Sequence, residues 1–410
     1  MSALAVVLIV AGLGLVWYGY VGYPALLAVL GRVRPRPPRR DTPREWPTVT
    51  VVIPAHNEEA AIRGTLDGVL GADYPAERRH ILVVSDASTD RTTDIVAEYA
   101  DRGVELLRLE RRGGKGAAEN AARSRLVGDI VVSTDASVRV HPQAVKLLAA
   151  SFTDPSVGVA SGRDVSVARH AKDSNSGEAG YVGYEMWVRE LETRVTGIVG
   201  ASGCLYASRR HLYMRGVPEA LSRDFAAALM AREAGYRSVA VRDAVCYVPR
   251  VASLDAEYRR KVRAITRGWQ TLFHMRHLLN PFRYGLFAWM LFSHKICRWL
   301  APWAIGLAIV GLIALNLGHW ASWAPWVAGV VGLVGLLAWL GWIWPEDRQM
   351  PRPLALCAFL VAANAAVVHA SIRALRGDRL LTWQPTQRDV GVLDARKTDS
   401  GLTTVASSRH

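Results

Sequence analysis

Three acidic clusters and one glycine-flanked lysine carry most of the chemistry this sequence offers. PAHNEE (54–59) contains Glu58, DASTD begins at Asp86, and a second DAS begins at Asp135. Each follows directly on a short run rich in β-branched residues: TVTVVI (48–53), HILVVS (80–85) and DIVVST (129–134). Carboxylates so placed cap the helix that follows, or else bind a hard cation or accept a proton. The stretch GGKG (113–116) sets Lys115 among glycines ahead of the helix-compatible AAENAARSRL. Backbone amides approach an anion closely there, and the ammonium adds a point charge suited to diphosphate or ribose oxygens. A solvated lysine is the plainer alternative. One more acid, Asp224 in SRDFAAALMAREAGYR, either caps an alanine-rich helix or serves as a general base.

The elements that must hold these groups alternate. With VELLRL (104–109), the three runs above make four strand candidates separated by helix-length segments. Such alternation predicts a parallel, doubly wound α/β sheet, whose ligands bind outside the carboxyl ends of the strands. All three acidic clusters then fall on one rim. No GxGxxG follows the first strand and no GxxxxGK[ST] loop occurs, which disfavours a dinucleotide enzyme and a P-loop ATPase. Cysteines 204, 246, 297 and 357 are far apart with no CxxC pair, so neither a zinc cage nor a disulfide framework is expected.

The rest of the chain reads as membrane. Half of the residues are hydrophobic, and 50 basic against 36 acidic residues leave a net charge of +14. No Asp, Glu, Lys or Arg occurs in 1–31, 299–344 or 353–372. At ~20 apolar residues per crossing, these stretches predict one span, then two broken near Gly318–Pro325, then one more. The first reads as an anchor rather than a cleaved signal, because no basic residue precedes its apolar run. Arginines 32, 34, 36, 39, 40 and 44 follow it and mark its cytoplasmic end. Without aromatic interleaving, that basic arm does not suggest a nucleic-acid partner. The expected organisation is a membrane helix (1–31), a basic linker (32–46), a cytoplasmic α/β domain (47–255), interfacial helices (256–298), about three membrane helices (299–372) and a tail (373–410). One conflict stands: three spans after the α/β domain put the tail outside, whereas arginines 373, 376 and 379 favour the inside, so either 284–300 is partly inserted despite His294, Lys295 and Arg298, or the tail breaks the charge rule.

In order, VVIPAHNEE, VVSDASTD, GGKGAAENAA, GDIVVSTDAS, GASGCLYASRR, SRDFAAAL with AREAGYR, and RRKVRAITRGWQ resemble the membrane-bound glycosyltransferases of family 2. That family includes the synthases of cellulose, hyaluronan and poly-N-acetylglucosamine, and the resemblance runs from Thr48 to Trp269. It implies a nucleotide-diphospho-sugar transferase (GT-A-like) domain with a mostly parallel sheet, joined to transmembrane α-helices. It also implies inverting, metal-dependent transfer of a hexosyl or N-acetylhexosaminyl group from a UDP-sugar to a polysaccharide or lipid-linked acceptor at the bilayer. Asp86 then meets the uracil, with Glu58 beside the nucleoside and Lys115 at the diphosphate. Asp135 opens the position of the DxD motif and holds Mg²⁺ or Mn²⁺, with Ser137 where the second acid is expected. Asp224 is the general base, and Ser202 and Gly203 line the acceptor side. Arg263, Arg267 and Trp269 in RAITRGW stand where the polymer synthases carry QxxRW, without the glutamine. Two rivals remain: a non-processive transferase that adds one sugar to a lipid carrier or glycolipid, and a catalytically dead nucleotide-sugar-binding scaffold.

Overall fold

The computed structural model describes residues 2–33, 35–38, 41–167, 176–249, 253–345 and 350–378, with side chains omitted for 176–179. Arg34, Arg39, Arg40 and the tail from residue 379 lie outside the described residues.

Eight strands form one mixed sheet: β1 (Val49–Ala55), β2 (Arg79–Asp86), β3 (Val104–Leu109), β4 (Ile130–Thr134), β5 (Arg139–Val140), β6 (Val157–Val167), β7 (Leu205–Arg209) and β8 (Arg237–Pro249). Their order is β3-β2-β1-β4-β7-β6-β8-β5. The parallel half, β3-β2-β1-β4, comprises the four runs read from sequence. β7 pairs antiparallel with both β4 and β6, and β5 with β8, whereas β6 and β8 are parallel. Every residue of β1 and β4 is buried, as strands covered on both faces require. Val51 and Ile53 pack under Ile62, Leu66 and Leu148, while Val52 and Val84 on the other face pack under Ala118, Ala122 and Tyr213.

β1 lies between β2 and β4, so successive connections leave it in opposite directions and open a crevice at the carboxyl ends of these strands. The two loops on that rim are stitched together. His56 Nδ1 lies 2.6 Å from the Asp86 carbonyl oxygen, Thr89 N donates to Asn57 Oδ1 (2.8 Å), and Glu58 N donates to Thr92 Oγ1 (2.7 Å).

Four helices are long and apolar enough to cross a membrane: α1 (Ser2–Val33), α6 (Leu286–Leu317), α7 (Ala324–Trp342) and α8 (Arg352–Leu375). Between α1 and α6 lie α2 (Lys115–Ala121), α3 (Ser176–Val195), α4 (Arg223–Glu233) and α5 (Leu254–His274). α6 begins thirteen residues before the boundary that charge counting gives at Trp299, and it includes His294, Lys295 and Arg298. Partners supplied by α3 explain two of the three, His294 and Arg298. His294 Nδ1 meets Glu192 Oε1 and its Nε2 meets Glu185 Oε1, both at 2.6 Å. Arg298 Nη1 donates to Glu185 Oε2 (2.6 Å), and Tyr23 of α1 donates to Glu192 Oε1 (2.6 Å). Burial of charge in an apolar helix is tolerable when each charge is paired in this way. The same network fastens α1, α3 and α6 into one unit.

The amphipathic α5 starts at Ser253, whose hydroxyl accepts from Ala256 N (3.1 Å). Its Val262 packs with Ala366 and Ala370 of α8. Trp269 Nε1 donates to Ser371 Oγ (3.0 Å), and Gln270 donates to the Asp378 carbonyl. At the other end of α5, the Tyr258 ring meets Trp342 of α7 (6.0 Å between centroids), and its hydroxyl lies 3.0 Å from His369 Nδ1.

Removal of one partner from the α3–α6 network leaves a buried charge uncompensated. Glu192→Ala should cost ~3–5 kcal/mol, while replacement of Glu192 and His294 together by leucines should cost markedly less. Thermal unfolding of the purified variants in detergent checks this ordering.

Candidate active site

Asp86, at the end of β2, is 1% exposed, and both of its oxygens are engaged. Oδ1 accepts from Gly113 N (2.8 Å) and Oδ2 from Gly114 N (2.7 Å). Gly114 adopts φ +87°, a conformation that favours glycine. The carboxylate thus anchors the GGKG turn and directs Lys115, the first residue of α2, across the crevice.

Lys115 Nζ donates to Asp135 Oδ1 (2.5 Å) and to the Gly203 carbonyl (3.1 Å). Gly203 in turn faces Asp224: a Cβ added there would lie 3.2 Å from Asp224 Oδ2. Asp224 stands in the first turn of α4, where its Oδ1 accepts from Ser222 Oγ (2.5 Å). The four residues singled out from separate parts of the sequence, 115, 135, 203 and 224, therefore converge. Burial opposes the charge on Lys115, but Asp135, Glu119 and Asp224 outweigh it and hold the ammonium above the ordinary lysine range.

Glu119 was not legible as a site residue. It lies one turn beyond Lys115 on α2 and is 2% exposed; burial raises its carboxyl above the usual range against the pull of Lys115 and Arg223. The Lys-x-x-x-Glu spacing was its only signal. Arg223 is also buried, donating to Asn120 Oδ1 (2.7 Å) and the Tyr213 carbonyl (3.0 Å) with its guanidinium 4.0 Å from the Tyr213 ring centroid.

The remaining expectations divide. Arg267 reaches the rim: its Nη2 donates to the Glu219 and Leu221 carbonyls (3.0 and 2.5 Å). Burial lowers its guanidinium below the ordinary value, and the charges of Glu119 and Asp224 pull the other way. Arg263 lies one turn earlier on the same helix and is partly buried. Trp269 is engaged by the membrane helices instead, stacked on Phe273 (5.4 Å) and tilted against Trp299 (4.8 Å). Glu58 is buried on the rim, where its carbonyl accepts from Ala61 N and Ile62 N (2.9 Å each) as the helix Ile62–Leu70 begins. Ser202 turns its hydroxyl into the fold, donating to both oxygens of Asp164 (2.6 and 2.7 Å). Asp164 escaped notice inside β6; its carboxyl is raised by burial, with Ser202 and Arg189 opposing.

For a divalent cation the site offers Asp135. Ser137 is buried, and among the described residues no three His, Cys, Asp or Glu side chains form a metal-binding group. One carboxylate on an open crevice fits a hard cation that takes its other oxygens from a diphosphate and water, rather than one held by protein alone.

Comparison with known proteins agrees with this geometry. Residues 50–197 match the family described as glycosyl transferase family 2. A probable glycosyltransferase of Bacillus subtilis, YdaM, is 38% identical over 117 residues, 27% of this chain and 28% of that protein. A beta-monoglucosyldiacylglycerol synthase of a Nostoc species is 26% identical over 197 residues, 45% of this chain and 42% of that protein. The matched region thus spans less than half the length of either relative. Among solved structures, a mannosyltransferase of Pyrobaculum calidifontis in complex with GDP-Man and Mn²⁺ superposes with a TM-score of 0.71. That likeness covers 92% of this chain and 99% of the other at 22% identity, and it establishes the fold.

One pH dependence follows from Glu119. Because burial raises its folded-state pKa, its contribution to stability is full below the ordinary glutamate value of 4.5 and is lost as pH rises through the folded value. The melting temperature of Glu119→Gln relative to the parent should therefore climb as pH rises above 4.5. A difference that is flat or falls with pH would contradict this assignment.

The strand order and the superposition give this chain a GT-A-like fold, in which residues 50–197 match glycosyl transferase family 2, beside four helices of membrane-spanning length.

Proposed function

We propose that this protein is an integral membrane, inverting glycosyltransferase that moves a sugar from a UDP-sugar to a membrane-associated acceptor. The convergence of Lys115, Asp135 and Asp224 on the crevice beside β1 and β4 carries this reading. Asp224 Oδ1 is occupied by Ser222, which leaves Oδ2, on the Gly203 side, to take the proton of an acceptor hydroxyl. As that oxygen bonds to the anomeric carbon, the bond from this carbon to the diphosphate oxygen breaks, and UDP leaves with the electron pair. Lys115 and Arg267 supply positive charge where the leaving group becomes more negative. Mg²⁺ or Mn²⁺ held by Asp135 and the donor phosphates would add Lewis-acid stabilisation of the same charge. Asp86 and Glu58 lie on the nucleoside side of the rim. Asp86 retains lone-pair directions beyond the two that anchor the glycine turn, enough to accept from a base imide.

The proposed orientation places the crevice in the cytoplasm. Arg36 N donates to the Arg194 carbonyl (2.9 Å), so the basic segment that follows α1 lies on the face carrying the catalytic domain. A single addition to a lipid-borne acceptor is favoured over chain polymerisation, because Trp269, at the position expected to guide a growing chain, is committed to Ser371, Phe273 and Trp299.

Asp224→Asn should lower transfer by at least ~10²-fold while UDP affinity stays within about threefold of the parent. Release of UDP from a panel of UDP-sugars, with and without chelator, measures both the activity and its metal dependence. Transfer by Asp224→Asn at the parental rate would remove the base assignment. A ladder of long products would overturn single addition.

A further inference from the structure

The ionic network that joins α3 to α6 leaves two cations over. Lys295 lies on the π-helical turn Phe292–Cys297 of α6, between His294 and Arg298 in the same helix. Its Nζ is 5.2 Å from the centroid of the Phe225 ring and 3.6 Å from where a Cβ on Gly200 would sit. Among the described residues no carboxylate or hydrogen-bond acceptor reaches it. The charges that act on it are Glu185, Arg189, Glu192 and Arg298. Both glutamates are committed elsewhere: Glu185 to His294 and Arg298, Glu192 to His294 and Tyr23. Arg189, on α3, is in the same position. Its Nε and Nη1 are buried with no partner among the described residues. The nearby Asp164 already accepts from Ser202 and Cys246.

Two neighbouring half-buried cations without acceptors, one of them with two fully buried nitrogens, make a favourable place for an anion. The location narrows the anion. Gly200 begins the loop that carries Gly203, and Phe225 follows Asp224, so the cations flank the segment that faces the general base. Two residues, Ala201 and Ser202, separate Gly200 from Gly203, and three Cα–Cα steps span roughly 11 Å at most. Lys295 belongs to an apolar helix long enough to cross a bilayer, so a ligand reaching it from that side is a lipid.

We propose that Arg189 and Lys295 form a binding site for the phosphate of a phospholipid-type acceptor, whose head group carries both that phosphate and the hydroxyl presented to Asp224. A phosphate supplies several acceptor oxygens, enough for a guanidinium and an ammonium together. The acceptor role rests on the function proposed above; the binding site itself does not.

The test uses the full-length protein in detergent with three probes: dioctanoyl phosphatidylglycerol, the neutral dioctanoylglycerol, and inorganic phosphate, with binding followed by native mass spectrometry. The phospholipid should bind at least about tenfold more tightly than either of the others, and Arg189→Met or Lys295→Met should erase about tenfold of that affinity. UDP affinity should not change. Arg189→Lys and Lys295→Arg should recover most of the loss, which separates charge recognition from misfolding. Equal affinity for the neutral lipid, inorganic phosphate binding as tightly as the lipid, or full phospholipid binding by the methionine variants would each overturn the site. Asp224→Asn distinguishes the two proposals. If it keeps transfer while lipid binding maps to Arg189 and Lys295, the function fails and the site stands. If it abolishes transfer while lipid binding ignores both cations, the site fails and the function stands.

Discussion

The ammonium of Lys115 is the charge on which the crevice depends. Asp135, Glu119 and Asp224 are drawn toward one small volume, and three carboxylates so placed repel one another unless a cation sits among them. The rest of the local fold serves to keep Nζ there. Asp86 spends both oxygens on the glycine turn that starts α2, and the Gly203 carbonyl gives the ammonium a second acceptor. In the proposed reaction a donor diphosphate would enter a place where the electrostatic balance is already set, so that little reorganisation would accompany departure of the leaving group.

A second balance joins this domain to the membrane helices. Glu185 and Glu192 belong to the soluble face of the chain by sequence, yet they are the partners of His294 and Arg298 in an apolar helix. Neither half is stable alone: the glutamates would be buried without cations, and α6 would carry unpaired charge. The crevice is thereby held at a fixed place relative to the helices that adjoin the bilayer. This is the mechanical arrangement that the proposed transfer, from a soluble donor to a membrane-associated acceptor, requires.

Part of this was legible in the sequence, for physical reasons. β1 to β4 are parallel strands buried or half-buried between helices, and such strands must be written as continuous apolar runs. β6 and β8 mix Arg163, Asp164 and Arg242 with apolar residues, and no simple period reveals them. Lys115, Asp135 and Asp224 could be singled out because polar residues directly after strands or at helix starts declare themselves. Glu119 and Arg189 were not, since a charge in mid-helix looks like solvent-facing decoration until its surroundings are known. The start of α6 stayed open between two readings for the converse reason: counting charges cannot see that the partners of His294 and Arg298 lie a hundred residues earlier. The outward or inward turn of the Ser202 hydroxyl and the commitment of the Trp269 ring depend on tertiary neighbours alone.

The last apolar helix deserves its own arithmetic. α7 ends beside Tyr258, and the C-terminal half of α8 lies along α5 until Asp378 meets Gln270. α5 is itself bound to the catalytic loop through Arg267. α8 thus starts after a helix that has returned to the domain face and ends on that face, although it is long enough to cross. On the proposed orientation the chain makes an odd number of traverses. That orientation would put Arg373 and Arg376 in the compartment of Arg32 and Arg36, the side their charge favours.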